Sequence, residues 1–221
     1  VHSGVNTYTG VTTVSAGALS ARNAAALGAA GDPNNTVVSA GAVLEVQGAV
    51  TIGEALTVNG TGIANGGALR NVSDSNTWTG AVTLGSDSTV SVAAGQLTLS
   101  GAIGGGARAL TKVGTGTLVF AGAGANPYTG ATTVNEGVLL LNKTAGVNAV
   151  AGPLVIGDGV GGANTDVVRL AAANQIADAS AVTVNVGAGT ATGGAGSDTL
   201  ATVENATGGN AGDTLTGDGS S

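Results

Sequence analysis

Cysteine and methionine are absent from this 221-residue sequence, and aromatic residues make up only 2% of it. Without cysteine, neither a disulfide framework nor a thiolate metal site can form. Hydrophobic residues still make up 43% of the chain, so we expect an interior of Val, Leu, Ile and Ala. Only 9% of the residues are charged, and we therefore expect an exterior composed mainly of Thr, Ser, Asn and Gly.

Basic residues are also scarce, and long apolar runs are absent. The formal net charge is −7 with only 6 Lys and Arg residues, which excludes a phosphate-neutralising patch and argues against a nucleic-acid partner. No run of about 20 apolar residues is present, so we expect no transmembrane helix. The sequence starts at Val1 without a signal-peptide pattern, and we expect a processed subunit or a piece of a longer protein.

The residues that commonly carry catalysis are sparse. The single histidine, His2, lies at the terminus, and we interpret it as an exposed terminal residue. The closest plausible acid pair is Asp158 and Asp166, which flank a glycine-rich loop and are best explained as solvated turn carboxylates. The sequence therefore predicts a protein that is not an enzyme.

One short phrase occurs three times, with the pattern Asn-x-aromatic-Thr-Gly. The copies occupy residues 6–10, 76–80 and 126–130 and contain three of the four aromatic residues. The separations between these copies fit whole numbers of coils of roughly 20–25 residues. We predict that the phrase is a structural repeat, whose aromatic and final glycine residues are Tyr8, Gly10, Trp78, Gly80, Tyr128 and Gly130.

Short alternating runs bounded by Gly, Asn, Asp or Ser predict many short strands. Examples are residues 12–14, 43–46, 97–99, 132–134 and 182–184. Sandwiches do not ordinarily repeat a phrase in this way, so the repeats favour a solenoid with parallel strands stacked about 4.8 Å apart. The predicted fold class is all-β, a right-handed parallel β-helix over residues 1–190.

Two stretches resemble the autotransporter-associated β-strand repeat. Residues 114–139 contain Gly-x-Gly-Thr-Leu, Asn-x-Tyr-x-Gly, Thr-Thr-Val and Gly-x-Leu in order, and residues 6–19 contain the second half of the same pattern. The resemblance implies a passenger-type β-helix exported to the surface of a Gram-negative bacterium, where it serves as the stalk or adhesive body of a large protein.

The glycine- and aspartate-rich end, residues 191–221, resembles the calcium-binding RTX repeat. Residues 193–201 fit its nonapeptide Gly-Gly-x-Gly-x-Asp-x-apolar-x, and residues 208–216 are a near match. Calcium is therefore a possible cofactor, with Asp198 and Asp213 as its ligands. The two acids lie further apart than one nonapeptide period, so the alternative is a set of turns that merely ends the solenoid.

Two functional interpretations remain open. The repeated aromatic residues either close turns by packing, which their recurrence favours, or form an exposed ladder in a glycan-binding or carbohydrate-active β-helix. The first predicts a non-catalytic structural or adhesive element, a rigid spacer or a self-associating subunit of an extracellular filament or layer. Because residues 1–10 begin directly in a repeat, we expect continuation in a longer chain or head-to-tail self-association, with surface glycans or a host-cell receptor as further partners.

Overall fold

Alternation of β-branched and aliphatic residues with polar residues produces short strands throughout the computed structural model, which describes residues 1–28, 35–157 and 166–185. The first nine strands are β1 Thr12–Val14, β2 Ala18–Ala21, β3 Asn35–Val38, β4 Val43–Val46, β5 Thr51–Ile52, β6 Ala55–Gly60, β7 Leu69–Asn71, β8 Ser75–Trp78 and β9 Val82–Val92. The next nine are β10 Gln96–Leu99, β11 Ile103–Gly104, β12 Leu110–Val113, β13 Thr117–Gly122, β14 Thr132–Val134, β15 Val138–Lys143, β16 Leu154–Ile156, β17 Val167–Leu170 and β18 Val182–Val184.

All recorded strand pairs are parallel, and they form two sheets. The larger sheet has twelve strands and follows the order β1-β3-β6-β9-β12-β14-β16-β18, with β2, β4, β7 and β11 paired beside this path. The smaller sheet has six strands in the order β17-β15-β13-β10-β8-β5, one strand from each of about six successive turns. The predicted parallel β-solenoid is confirmed.

The register shows the length of each turn. Leu110 pairs with Thr132, and Thr132 pairs with Leu154, which are two equal steps along the sequence, whereas Leu154 pairs with Val182 after a longer step. The two equal steps lie within the predicted range of roughly 20–25 residues, and the last step exceeds it. Because each turn places its strands directly over those of the previous turn, side chains of successive turns form columns along the solenoid axis.

Inward columns make up the hydrophobic core. In the smaller sheet one column consists of Ile52, Trp78, Leu99, Phe120, Leu141 and Leu170. Its first five members are at most 1% exposed, whereas Leu170 at the end is 50% exposed. The core is therefore closed along its length and partly open at the last strand of this sheet in the described part of the chain.

The expectation of a purely aliphatic interior is wrong. The largest fully buried side chains include Trp78, Tyr128, Phe120 and both lysines of the chain, Lys112 and Lys143. These aromatic and lysine side chains lie inside the coil. The amino-acid composition alone does not predict that placement. In the described part of the chain, no helix has the length and apolar character needed to cross a membrane.

Candidate functional site

A groove of about 490 Å³ runs across the outer surface of the larger sheet. Its floor follows the register, since Glu45 pairs with Arg70, Arg70 with Ser91, and Ser91 with Val113. These four residues come from consecutive turns, and Glu136 lies at the far end. The groove is therefore parallel to the solenoid axis and crosses several coils.

A strained loop forms one wall of the groove. Residues 62–67 include a 3-10 turn, Ile63–Asn65, in which Ala64 and Asn65 have positive φ angles of 50° and 60°. A positive φ angle at a non-glycine residue costs free energy. Such residues occur where the surrounding structure fixes the backbone in that conformation. The Thr61 hydroxyl donates to Oδ1 of Asn65 at 2.7 Å, which holds the turn in place, and Ile63 at its tip is 48% exposed.

The charges in the groove are only loosely paired. Arg70 Nη1 lies 3.8 Å from Glu45 Oε1, and the two side chains are 44% and 23% exposed. An exposed pair at this distance contributes little to stability, on the order of 0–1 kcal/mol. At the other end, Glu136 Oε2 accepts a hydrogen bond from the Gly114 amide at 2.9 Å. The groove is thus a mildly polar, mainly aliphatic surface.

Lys112 lies beneath the end of the groove, inside the core column between Val90 and Val134. Its ammonium group donates to the carbonyl oxygens of Gly114 and, at 2.7 Å, of Glu136 in the next turn. Burial lowers the pKa of Lys112 to about 8, opposed by the negative charges of Glu136 and Asp166. The residue therefore joins two turns from the inside.

Two further buried ionisable groups have structural partners. Lys143 Nζ donates to the Ala121 carbonyl of the preceding turn at 2.8 Å, and burial lowers the pKa of this lysine. Burial raises the pKa of Glu54, whereas the hydrogen bond from the Thr36 hydroxyl at 2.7 Å opposes that change. Neither group lines the groove. Lys112, Lys143 and Glu54 were not among the candidate residues predicted from the sequence, although inward alternation in their strands indicates Lys112 and Lys143.

The first and third copies of the repeated phrase build the same local structure. The Tyr8 hydroxyl contacts the Thr12 hydroxyl at 2.7 Å, and the Tyr128 hydroxyl contacts the Thr132 hydroxyl, four residues later in both cases. Tyr128 is fully buried, whereas Tyr8 is 39% exposed. Burial raises the pKa of Tyr128, so its phenol stays protonated. The tyrosine therefore closes a turn onto the following strand.

The second copy differs in structure. Trp78 belongs to β8 and is 1% exposed, and its indole nitrogen donates to the Glu54 carbonyl at 2.6 Å. Trp78 and Tyr128 are both enclosed, so the three aromatic residues do not form a shared exposed surface.

The asparagines that open the phrases connect neighbouring turns. Asn126 Oδ1 accepts from the Ile103 amide at 2.9 Å, and its amide nitrogen donates to Ala149. Asn76 Oδ1 accepts from the Val50 amide at 2.8 Å, and Asn6 donates to Ala26. The asparagine amide can both accept and donate hydrogen bonds, so it can bind the backbone of an adjacent turn. This explains why the phrase begins with asparagine.

The glycines that end the phrases lie against backbone. A Cβ atom at Gly130 would approach the carbonyl oxygen of Arg108 to 2.1 Å, and one at Gly80 would approach that of Glu54 to 1.8 Å. At Gly10, by contrast, a Cβ atom would contact nothing within 4 Å. The phrase glycines therefore allow close stacking wherever a preceding turn is present.

The other residues singled out in the sequence lie apart. His2 is partly buried, and its Nδ1 lies 3.1 Å from the Ala26 carbonyl oxygen, so the expectation of a freely exposed terminal residue is wrong. Asp166 lies close enough to Lys112 to affect its pKa. Asp158 and the predicted calcium ligands Asp198 and Asp213 fall outside the described residues, as does the whole 191–221 segment.

The groove contains, among the residues that the structure describes, one hydroxyl side chain and three charged side chains, those of Glu45, Arg70 and Glu136. Ser91 is the hydroxyl residue on its floor, and the only histidine of the chain is near the N-terminal end, hydrogen-bonded to Ala26. Among the described residues, no group of three His, Cys, Asp or Glu side chains is placed to hold a metal ion.

Comparison with known families agrees with this architecture. Residues 3–21 and 110–141 match the family model described as passenger-associated-transport-repeat. These segments contain the first and third phrases, whereas the phrase at 76–80 lies outside them. No curated protein and no solved structure gave a significant match. Two segments of this parallel β-solenoid are thus similar to a passenger-associated repeat, and the match supports the resemblance found in the sequence.

Proposed function

We propose that this chain is a non-catalytic structural segment of a secreted protein at the surface of a Gram-negative bacterium. The observation that carries the proposal is the location of two passenger-type repeats inside a continuous stack of parallel turns. A stack of this kind is stiff along its axis because every turn is hydrogen-bonded to its neighbours. Such a segment acts as a rigid spacer or as a self-associating element of a surface layer.

We also propose that the aliphatic groove, presented at the cell surface, has an adhesive role. Ile63 projects from the loop, and Val113 lies on the floor. Loops that project from a rigid scaffold commonly carry binding surfaces. The groove supplies such a surface without requiring any catalytic residue.

Surface display tests the proposed function. In this experiment the chain is fused N-terminal to a translocator domain and expressed in Gram-negative cells. If the cells export the chain, protease added to intact cells should remove it. The cells should release no sugars from a panel of surface polysaccharides. Retention of the folded chain inside the cells, or turnover of a polysaccharide that an unfused control strain leaves intact, would contradict the proposal.

An Ile63→Lys variant tests the adhesive role separately. It should be exported as well as the parent chain, because Ile63 is exposed and lies outside the stacked core. Cells displaying the parent chain should adhere to epithelial cells or to each other, and cells displaying the variant should adhere several-fold less. Equal adhesion of the two strains would limit the proposal to the spacer role.

A further inference from the structure

Arg70, on the floor of the groove, has hydrogen-bond donors that the protein leaves unused. Its Nε is buried and has no hydrogen-bond partner in the described part of the chain. Its ionic partner, Glu45 Oε1, lies 3.8 Å from Nη1, which is too long for a hydrogen bond. A guanidinium carries several N–H donors, and a buried donor without an acceptor costs free energy. Arg70 is therefore suited to an acceptor that comes from another molecule.

The guanidinium of Arg70 is accessible from the groove. The side chain is 44% exposed and belongs to the lining of the groove. Ser91, which pairs with Arg70 in the next turn, brings a hydroxyl group to the neighbouring position of the floor. A carboxylate can accept two parallel N–H bonds from a guanidinium and a further bond from a hydroxyl. The polar part of the floor thus fits a carboxylate group.

The other part of the groove is aliphatic. Val113 lies on the floor, and Ile63, which is 48% exposed, projects from the loop that forms the wall. Covering such surface with an aliphatic side chain is favourable because apolar area is removed from water. A sugar ring, by contrast, carries hydroxyl groups that need polar partners when they are buried. The aliphatic part of the groove therefore favours a peptide over a glycan.

The register of the turns fixes the distance between the polar and the aliphatic part. Arg70 pairs with Ser91 and Ser91 with Val113, so Arg70 and Val113 are two turns apart, about 10 Å along the solenoid axis. A peptide in the polyproline II conformation has about three residues per turn and rises about 3.1 Å per residue. Its side chains at positions three apart therefore lie on the same side, about 9 Å from each other. This spacing matches that of the two parts of the groove.

We propose that the groove binds an extended peptide segment of a partner protein, with an acidic side chain on Arg70 and an aliphatic side chain three positions away on Val113. This inference rests on the proposed adhesive role of the groove and identifies the class of ligand. The charges of the groove limit the segment to one acid, because Glu45 and Glu136 lie at its two ends and repel a second carboxylate.

Fluorescence anisotropy of labelled synthetic peptides with the full chain tests the proposal. The probe is the acetylated and amidated peptide Pro-Ile-Pro-Pro-Asp-Pro-Pro-Ile-Pro, which adopts the polyproline II conformation and places Ile three positions from Asp in both chain directions. One control peptide has Asn in place of Asp. The other, Pro-Pro-Ile-Pro-Asp-Pro-Ile-Pro-Pro, has the same composition with Ile two positions from Asp. The parent chain should bind the probe about tenfold more tightly than either control peptide.

Variants of the groove arginine identify the contact on the protein. Arg70→Gln should weaken binding of the probe about tenfold or more, since the charge-assisted hydrogen bonds are lost. Arg70→Lys should weaken it less, because the charge stays and only the planar fork is removed. Arg169→Gln changes an exposed arginine of β17, outside the groove, and is the matched control that should bind like the parent chain. Circular dichroism verifies that all three variants are folded.

Other outcomes overturn the inference. Equal binding of the probe and a control peptide would refute the acidic residue or the spacing, and unchanged binding by Arg70→Gln would refute the contact with Arg70. A labelled oligosaccharide of uronic acids that binds through Arg70 while the peptides do not would identify an acidic glycan as the ligand. Each of these results leaves the export and adhesion measurements on displaying cells unaffected, so failure of the inference and failure of the proposed function are distinguishable.

Discussion

Lys112 is unusual among the residues of the core because it is charged and inaccessible to solvent. It occupies a position between Val90 and Val134 where the neighbouring turns have aliphatic side chains. Its hydrogen bonds to Gly114 and Glu136 satisfy carbonyl oxygens just beyond the ends of β12 and β14. At this position the neighbouring turns make apolar contacts, whereas the lysine connects two turns by hydrogen bonds.

Lys112 should make the stability of the protein depend on pH above pH 8. Its pKa is about 8 in the folded state and about 10.5 in the unfolded state, so the unfolded state binds the proton more tightly. As the pH rises from 8 to 10.5, the parent chain should therefore gain roughly 2–3 kcal/mol relative to Lys112→Met. Urea unfolding of both chains across this range measures the difference, and parallel profiles would contradict it.

The buried tyrosine–threonine contact should contribute more than its exposed counterpart. Tyr128→Phe leaves the hydroxyl of buried Thr132 without that partner, at a cost of about 1–2 kcal/mol. Tyr8→Phe removes the same contact where water can replace it, and should cost less than about 0.5 kcal/mol. Equal losses in thermal or urea unfolding would show that burial does not determine the contribution of this contact.

The glycine that ends each phrase should matter only where another turn is stacked beneath it. Gly130→Ala places a methyl group against the Arg108 carbonyl and should destabilise the protein by roughly 1–3 kcal/mol. The matched control Gly10→Ala meets open space and should change stability by less than about 0.5 kcal/mol. If Gly10→Ala is as destabilising as Gly130→Ala, contact with the preceding turn is not the cause.

Many strands could be predicted because alternation alone defines them. Residues 43–46 and 182–184 match β4 and β18 in full, and the repeat length and parallel stacking followed from the recurrence of the phrase. The recurrence of the aromatic residue favours packing over a binding ladder for Trp78 and Tyr128, but the sequence does not show which turns enclose them. Only the stacking of turns decides their burial.

The position of each phrase around the coil could not be predicted. The Thr-Thr-Val strand at 12–14 pairs with β3, in the column that continues through β6 to the first half of β9. The copy at 132–134 pairs with β12, in the column that continues to the second half of β9. Turn lengths vary, since the step from Thr36 to Leu56 is shorter than the next step from Leu56 to Val82. Copies of the same phrase therefore occupy different positions around the coil.

The groove was also beyond sequence reasoning. Glu45, Arg70, Ser91 and Val113 lie on four different turns, far apart in the sequence, and share no motif. They become neighbours only because the turns are in register. A surface whose residues come from several turns produces no local motif in the sequence.

The molecule as a whole is a stack in which each turn contacts mainly the turns before and after it. In such an architecture the interior is uniform, and the distinctive surfaces are the two ends and the side loops. This explains why Ile63, a large apolar residue on a side loop, is exposed. It also explains why a passenger-type repeat can be varied in sequence while the stack is kept.

Engineered disulfides test the parallel register most directly, because the chain has no cysteine of its own. Thr77 and Thr98 are paired in adjacent turns, at a Cα separation of about 4.8 Å, which a disulfide can span. Thr77 and Leu140 are three turns apart, about 14 Å, which is beyond its reach. Under mild oxidation Thr77→Cys/Thr98→Cys should form an intramolecular disulfide in nearly all molecules and Thr77→Cys/Leu140→Cys in almost none. Disulfide formation in the second variant, or its failure in the first, would contradict the stacked solenoid on which the proposed function depends.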